Sequence, residues 1–362
     1  MYGQNRTVIV AAIALFLLIT VLAVGAGTRI DKEERSTLET EDAALRYHYS
    51  QLSDREQALY TVLCEGIAAH KEEIRLPERF TAEDYEKVYL LVSMQEPEFF
   101  YLDEVYELSP EMTSANMHYI TDAETAESMQ RSMETAADRI LDSVKSAQTE
   151  MQKMLTIHDA LAKQCMYTEP VMPDSAYTVL VQGMGKCEGY SKAFLYLCRR
   201  AGLSAMCVTG NSGRGVKHVW NKAKILGKYY NIDVTWDDDD AYGGQIVHSC
   251  FAMPDDMFGD HIPDNNGFTP PPSSGMQQSY YYQNGMQLMD AGWLRTQMQS
   301  WAGMCTGNVL EFQCANRNAF DAAVQALKTD RSLVPPPNNG MNPQFWELVT
   351  DPDRQVVVII YQ

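Results

Sequence analysis

One cysteine lies in a setting that suits nucleophilic catalysis. Cys187 stands within KCEGYSKAF, residues 186–194, and apolar side chains follow it at helical spacing as far as Gly202, which predicts a helix that begins at or beside the cysteine. The unpaired amides and the positive end of a helix dipole would favour the thiolate, the nucleophilic form of the side chain. Gly189 has no side chain and would let a substrate approach the sulfur. A glycine needed only for helix packing is an equally good explanation for this residue.

A histidine and an aspartate follow in a segment that predicts a β-hairpin. KHVWNKAKILGKYYNIDVTWDD contains two β-rich runs around Leu226 and Gly227. If these two residues form the turn, His218 lies opposite Thr235, and Asp233 is its diagonal neighbour on the same face. The three residues would then form a catalytic triad, with Cys187 as nucleophile, His218 as base and Asp233 as the orienting carboxylate. If the hairpin stood alone, an ordinary histidine and aspartate on the protein surface would be the better interpretation.

Three blocks in this order resemble the transglutaminase-like superfamily, a branch of the papain-like cysteine enzymes. SAYTVLVQGMGKCEGYSKAF resembles its nucleophile block, HVWN its histidine block and YNIDVTWDD its aspartate block, while KMLTIHDALAKQCMYT resembles the preceding helix. The resemblance implies an α+β, papain-like core in which a helix bearing the cysteine packs on an antiparallel sheet bearing the histidine and aspartate. It also implies that Cys187 is the nucleophile, His218 the general base and Asp233 the residue that holds the imidazole. Tyr177 and the backbone N–H of Cys187 are candidates for stabilising the oxyanion.

The sequence departs from the family pattern in two places. His248 stands where an aromatic strand residue is expected, and residues 237–240 are all aspartate. The aspartate run lacks the spacing of a known calcium loop, so a solvated acidic turn is expected there. His158 lies on an apolar helical stripe and is expected to be packed and hydrogen-bonded. Because the eight cysteines include no CxxC pair, neither a metal nor a cofactor is predicted, although disulfides stay open.

Charge and hydrophobicity narrow the range of partners. The 362 residues include 29 Lys and Arg against 48 Asp and Glu, which gives a net charge of 29 − 48 = −19. The basic residues are scattered rather than clustered, so nucleic acid is not an expected partner. A hydrophobic content of 45% is enough for a sizeable core, in more than one domain.

A single stretch near the start of the chain could cross a membrane. Residues 8–27, VIVAAIALFLLITVLAVGAG, carry no charge and are long enough to span a bilayer as a helix. They predict an uncleaved, single-pass signal anchor with the globular part extracytoplasmic; secretion after cleavage near Ala26 is the alternative. The full-length chain should therefore stay with membranes through carbonate washing, whereas a shortened soluble product would indicate cleavage.

Flanking regions are predicted on both sides of the core. Residues 123–165 have a strongly helical pattern, PEFFYLDEVYEL has that of an extended stretch, and TPPPSSG breaks regular structure. The aromatic run YYYQNGMQL is interpreted as a strand. The predicted divisions are an anchor at 1–29, a helical and extended region at 30–122, the catalytic core at 123–268, a linker at 269–278 and a small α+β region at 279–362.

Together these features predict a thiol enzyme that acts on peptide or amide bonds through a cysteine thioester. Its substrate would be a peptide or protein, including proteins of the cell envelope. Hydrolysis is favoured over cross-linking acyl transfer, because transfer requires an enclosed channel that excludes water. A non-catalytic peptide- or protein-binding module on the same fold is the alternative from another class.

Overall fold

A computed structural model describes residues 45–362, apart from 214, 239–241, 243, 265–267, 306 and 341–344. The predicted membrane anchor at residues 8–27 lies outside the described residues. Among the helices within them, none combines the length and the apolar character needed to cross a bilayer. All eight cysteines are described, and each is a free thiol.

Helices and a small sheet precede the predicted core. Side-chain caps from Ser53 and Thr81 start the two longer helices, because each side-chain oxygen accepts an amide N–H of the first turn. The aromatic stretch predicted as extended forms β2 after a 3₁₀ turn, which confirms that prediction. The three strands pair antiparallel in the order β1-β3-β2. The elements are α1 (Tyr47–Ser50), α2 (Asp54–Ala68), β1 (Glu73–Arg75), α3 (Ala82–Gln95), β2 (Leu102–Leu108) and β3 (Ser114–Tyr119).

The helical segment predicted for residues 123–165 is present but divided in two. Helix α4 spans Ala123–Val144 and helix α5 spans Glu150–Gln164. Thr149 begins α5 with a capping box, in which its hydroxyl accepts the Gln152 N–H and the Gln152 side chain accepts the Thr149 N–H. This local cap starts a new helix within a pattern that is otherwise favourable to helix throughout.

The core is a five-stranded antiparallel sheet against which helix α6 (Cys187–Arg200) packs. Leu226 and Gly227 form the hairpin turn with φ values of 48° and 81°, and Asn221 pairs with Ile232, which is the predicted register. The predicted α+β core is therefore confirmed. Its remaining elements are β4 (Met166–Tyr167), β5 (Met184–Gly185), β6 (Ala205–Ser212), β7 (Lys217–Ile225), β8 (Lys228–Ile232), α7 (Val234–Asp237), β9 (Phe251–Met253) and β10 (His261–Pro263), with the sheet order β10-β6-β7-β8-β9.

Both faces of the core sheet are buried. Along β6, Ala205 and Cys207 belong to the cluster shared with α6, whereas Met206 and Val208 belong to a second cluster shared with the C-terminal region. This alternation follows from the two-residue period of a strand. The C-terminal region thus completes the hydrophobic core on the side opposite the cysteine helix.

The C-terminal region is α+β, as predicted, with one local difference. YYYQ forms a short helix rather than a strand, and Tyr281 is buried within the core. The proline-rich stretch is irregular but packed, because the Pro271 carbonyl accepts a hydrogen bond of 2.6 Å from Lys222 Nζ. The elements are α8 (Tyr280–Gln283), β11 (Gln287–Leu288), α9 (Leu294–Trp301), β12 (Val309–Cys314), α10 (Arg317–Thr329), β13 (Trp346–Asp351) and β14 (Val356–Tyr361).

Candidate active site

Cys187 is the first residue of helix α6, where the sequence places it, and its side chain is half-buried. The helix continues through Arg200, and Gly202 follows with a φ of 72°, a conformation that glycine adopts readily beyond a helix end. The Cys187 thiol lies beside the His218 imidazole, close enough to help raise the pKa of that ring. The cysteine helix and the histidine strand are thus in direct contact at the site.

Asp174 caps the cysteine helix, a role that the sequence did not predict. Its Oδ1 accepts the Lys186 N–H at 2.9 Å and its Oδ2 accepts the Gly189 N–H at 2.8 Å. Burial raises the pKa of Asp174. A Cβ atom on Gly189 would lie 2.2 Å from Asp174 Oδ1, so this glycine is required by the cap. Of the helix amides expected to favour the Cys187 thiolate, that of Gly189 is therefore paired with a carboxylate.

His218 and Asp233 face each other across the predicted hairpin. The His218 Nε2 lies 2.6 Å from Asp233 Oδ2, and the two residues are 7% and 1% exposed. Because Nε2 is occupied by the carboxylate, Nδ1 is the ring nitrogen left for the Cys187 thiol. The structure thus brings together all three residues that the sequence selected.

The position of Asp233 differs in one respect from a simple hairpin. Strand β8 ends at Ile232, so Thr235 does not pair opposite His218; it lies instead in the first turn of α7. Asp233 caps that helix, and its Oδ1 accepts the Thr235 N–H at 3.0 Å and the Thr235 hydroxyl at 2.6 Å. One carboxylate oxygen therefore fixes the side chain while the other remains available to the imidazole.

The electrostatics of the pair favour an imidazolium and a carboxylate. Burial alone would raise the pKa of Asp233, but contact with His218 and His261 holds it well below its usual range. Burial would likewise lower the pKa of His218, but Asp233 and the Cys187 thiol raise it to about 10. A protonated imidazole beside a thiol stabilises the thiolate.

A second histidine shares the same carboxylate oxygen. His261 Nε2 lies 2.9 Å from Asp233 Oδ2, and its Nδ1 lies 2.8 Å from Asp260 Oδ1. Arg354, in the turn between β13 and β14, donates to Asp260 at 2.7 Å and has its Nη2 3.3 Å from His261 Nδ1. Neither His261 nor Arg354 belongs to a recognisable motif. No local pattern in the sequence indicates that His261 contacts Asp233 or that Arg354 contacts His261.

Two tryptophans flank the His218 imidazole. The ring of Trp236 lies 5.7 Å from that of His218, and the ring of Trp220 lies 6.2 Å from it in a stacked orientation. The Arg354 guanidinium covers Trp236 at 5.1 Å. Because His218 and Asp233 are themselves buried, their hydrogen bond lies in a low-dielectric setting, where it is stronger.

Two other predicted features have different outcomes. The Tyr177 ring stacks on Phe100 with centroids 5.0 Å apart, and its role at the oxyanion stays a prediction. The solvated acidic turn is wrong for Asp237, which is fully buried and accepts the Cys250 N–H at 2.9 Å. Asp238 accepts the Tyr190 hydroxyl at 2.8 Å. The other two aspartates of the run lie outside the described residues.

Comparison with known proteins finds one family match, which lies over the core. Residues 135–234, which include the cysteine, histidine and aspartate of the site, match the transglutaminase-like superfamily. No curated protein matches the chain in sequence.

Partial likenesses to solved structures are more distant. A candidate cysteine protease from Cytophaga hutchinsonii is 16% identical with a TM-score of 0.28, and the match covers 40% of this chain and 46% of that one. A TGase is 12% identical with a TM-score of 0.28, over 45% and 50% of the two chains. A candidate protease from Parabacteroides distasonis is 11% identical with a TM-score of 0.23, over 42% and 41%. The matched part spans about half or less of each of these proteins, and TM-scores this low do not define a shared overall fold.

Proposed function

We propose that this chain, whose residues 135–234 belong to the transglutaminase-like superfamily, is a thiol enzyme that acts on peptide or amide bonds. The observation that carries the proposal is the position of the Cys187 thiol beside the His218 imidazole, which is hydrogen-bonded to the buried Asp233 carboxylate. These groups supply a nucleophile, a base and an orienting carboxylate, which are the requirements for acyl transfer through a thioester.

In the first half of the reaction, the Cys187 sulfur forms a bond to the carbonyl carbon of the amide, and the carbonyl oxygen takes up negative charge. The Cys187 N–H is the proposed donor to that oxyanion, because the first amides of a helix have no partner within it; Tyr177 is the second candidate. The His218 imidazolium gives its proton to the leaving amine as the carbon–nitrogen bond breaks. A thioester and a neutral imidazole remain.

In the second half, His218 takes a proton from the attacking molecule, which displaces the Cys187 thiolate from the thioester. Water as the attacking molecule releases a carboxylic acid, and a primary amine forms a new amide bond. We favour water, since transfer to an amine requires a channel that excludes water from the thioester. The proposed enzyme is therefore a protease or amidase whose substrate is a peptide or protein, outside the cytoplasmic membrane if residues 8–27 anchor it.

The test is an assay of the full-length chain on a broad peptide library. Release of free amine without incorporation of a labelled primary amine would support hydrolysis, and incorporation would identify a transferase instead. If the chain shows neither activity, and its Cys187→Ala variant binds the same peptides as the wild type, the enzyme proposal fails and a binding module is indicated. A chain with Asp256→Asn, an exposed carboxylate outside the site, should behave like the wild type.

A further inference from the structure

Two histidines away from Cys187 converge on a single carboxylate oxygen. His158 Nδ1 lies 2.9 Å and His248 Nε2 lies 3.1 Å from Asp159 Oδ1. The three atoms all lie within 4.8 Å of one another. Both histidines are buried, whereas the Asp159 side chain is 44% exposed, so the cluster lies at the edge of the core rather than deep within it.

A buried carboxylate holds the second ring nitrogen of each histidine. His158 Nε2 lies 3.2 Å from Asp237 Oδ2, and His248 Nδ1 lies 2.6 Å from Glu311 Oε1. Glu311 also accepts the Tyr281 hydroxyl at 2.7 Å, which fixes its orientation. Metal-binding histidines typically have this arrangement, because an outer carboxylate sets the tautomer and directs the other nitrogen's lone pair at the ion.

The hydrogen-bonding pattern of this cluster suits a cation. A neutral imidazole has one N–H, so with Asp237 and Glu311 as acceptors, each ring would direct a lone pair at Asp159. The centres of the two rings lie 5.5 Å apart, so both lone pairs converge on one place. One divalent ion there would accept both lone pairs and balance the charge of the shared oxygen.

We propose that His158 Nδ1, Asp159 Oδ1 and His248 Nε2 bind a divalent transition-metal ion, with Zn²⁺ the best match. Two imidazole nitrogens and a carboxylate oxygen are a common donor set for Zn²⁺, Co²⁺ and Ni²⁺. Zinc bonds of about 2.1 Å at tetrahedral angles separate neighbouring donors by about 3.4 Å, so Asp159 Oδ1 and each ring nitrogen, now 2.9 and 3.1 Å apart, need to separate by only a few tenths of an ångström. Water at the exposed side of Asp159 would complete the coordination.

The ion would connect three parts of the molecule. His158 and Asp159 belong to α5, His248 precedes β9, and Glu311 on β12 supports His248 from the C-terminal region. The sequence contains no metal-binding motif for this site, because His248 follows Asp159 by 89 positions. The proposed site is therefore a structural clamp between the catalytic core and the C-terminal region, and it is independent of the proposed enzyme activity.

The test uses the full-length chain after removal of metal by a chelator and dialysis. Titration should show one Zn²⁺ or Co²⁺ ion bound per chain through this cluster, with release of protons and weaker binding at lower pH. Bound metal should raise the midpoint of thermal unfolding. The Co²⁺ form should show d–d absorption without a thiolate-to-cobalt charge-transfer band, since the cluster contains no cysteine.

Variants separate this cluster from the other group able to hold a metal, His218 with Asp233 and His261. His248→Gln should abolish binding, and Glu311→Gln, which keeps all three ligands, should weaken it by about 10- to 100-fold. His118→Gln, at an exposed histidine, should bind as the wild type does. The proposal is overturned if the wild type binds no ion, if the Co²⁺ form shows sulfur ligation, or if binding survives His248→Gln but is lost in His261→Gln.

Discussion

Replacing Cys187 with alanine should reduce amide-bond cleavage by at least about 10⁴-fold, because the sulfur itself forms the thioester and no other group can replace it. The change removes one atom from a half-buried side chain at a helix start, so the fold should persist. Release of free amine measures the loss, and the midpoint of thermal unfolding checks that the variant is folded.

Cys305 offers a matched control for the nucleophile. Its thiol is also half-buried, but burial raises its pKa to about 11, so it should react slowly. Cys305→Ala should keep wild-type turnover. Brief iodoacetamide treatment followed by mass spectrometry should modify Cys187 before Cys305 or Cys64. Labelling of either control cysteine ahead of an unmodified Cys187 would contradict the assignment.

Asp233→Asn should preserve the fold while lowering turnover by about 10⁴-fold, as wrong-tautomer substitutions do in other triads. The amide NH₂ group would face His218 Nε2, which donates to the carboxylate in the wild type, and would force the ring proton onto Nδ1 beside the thiol. The imidazole could then no longer serve as the base. Asp256→Asn is the control, and a variant that retained more than a tenth of wild-type turnover would exclude the orienting role.

The same substitution should change the pH dependence of stability. The folded-state pKa of His218 is raised from 6.5 to about 10, so its charged form stabilises the fold fully below the lower value, and this stabilisation is lost as pH rises through the upper one. The difference in unfolding free energy between wild type and Asp233→Asn should therefore shrink across that window. A difference that stays constant with pH would mean that Asp233 does not hold the imidazolium.

The parts of the site that depend on local sequence could be predicted. The helix that begins at Cys187 follows from the apolar spacing after it, and the His218–Asp233 face follows from a two-residue turn, since parity alone decides which side chains share a face. Both features need only a few neighbouring residues. Their mutual contact was implied by the family resemblance rather than by either pattern.

The support around the site could not be predicted, because it comes from residues distant in sequence. Asp174 reaches the Gly189 amide across 15 positions, and His261 reaches Asp233 across 28. The sequence predicted a solvent-exposed Asp237, because charged side chains are usually solvated. Its burial depends on the Cys250 amide and the His158 ring, neither of which is visible in the run of aspartates itself.

The contact of Arg354 with His261 has a consequence for the order of folding. It joins residues 93 positions apart, and contacts of such long range form late because much of the chain must be ordered before them. The thiol and its imidazole can therefore meet before the β13–β14 hairpin has closed behind His261 and Asp233. In the proposed enzyme, full reactivity would arrive only with that last step, so a half-folded chain, whose loose segments are themselves peptides, would not cut itself or its neighbours.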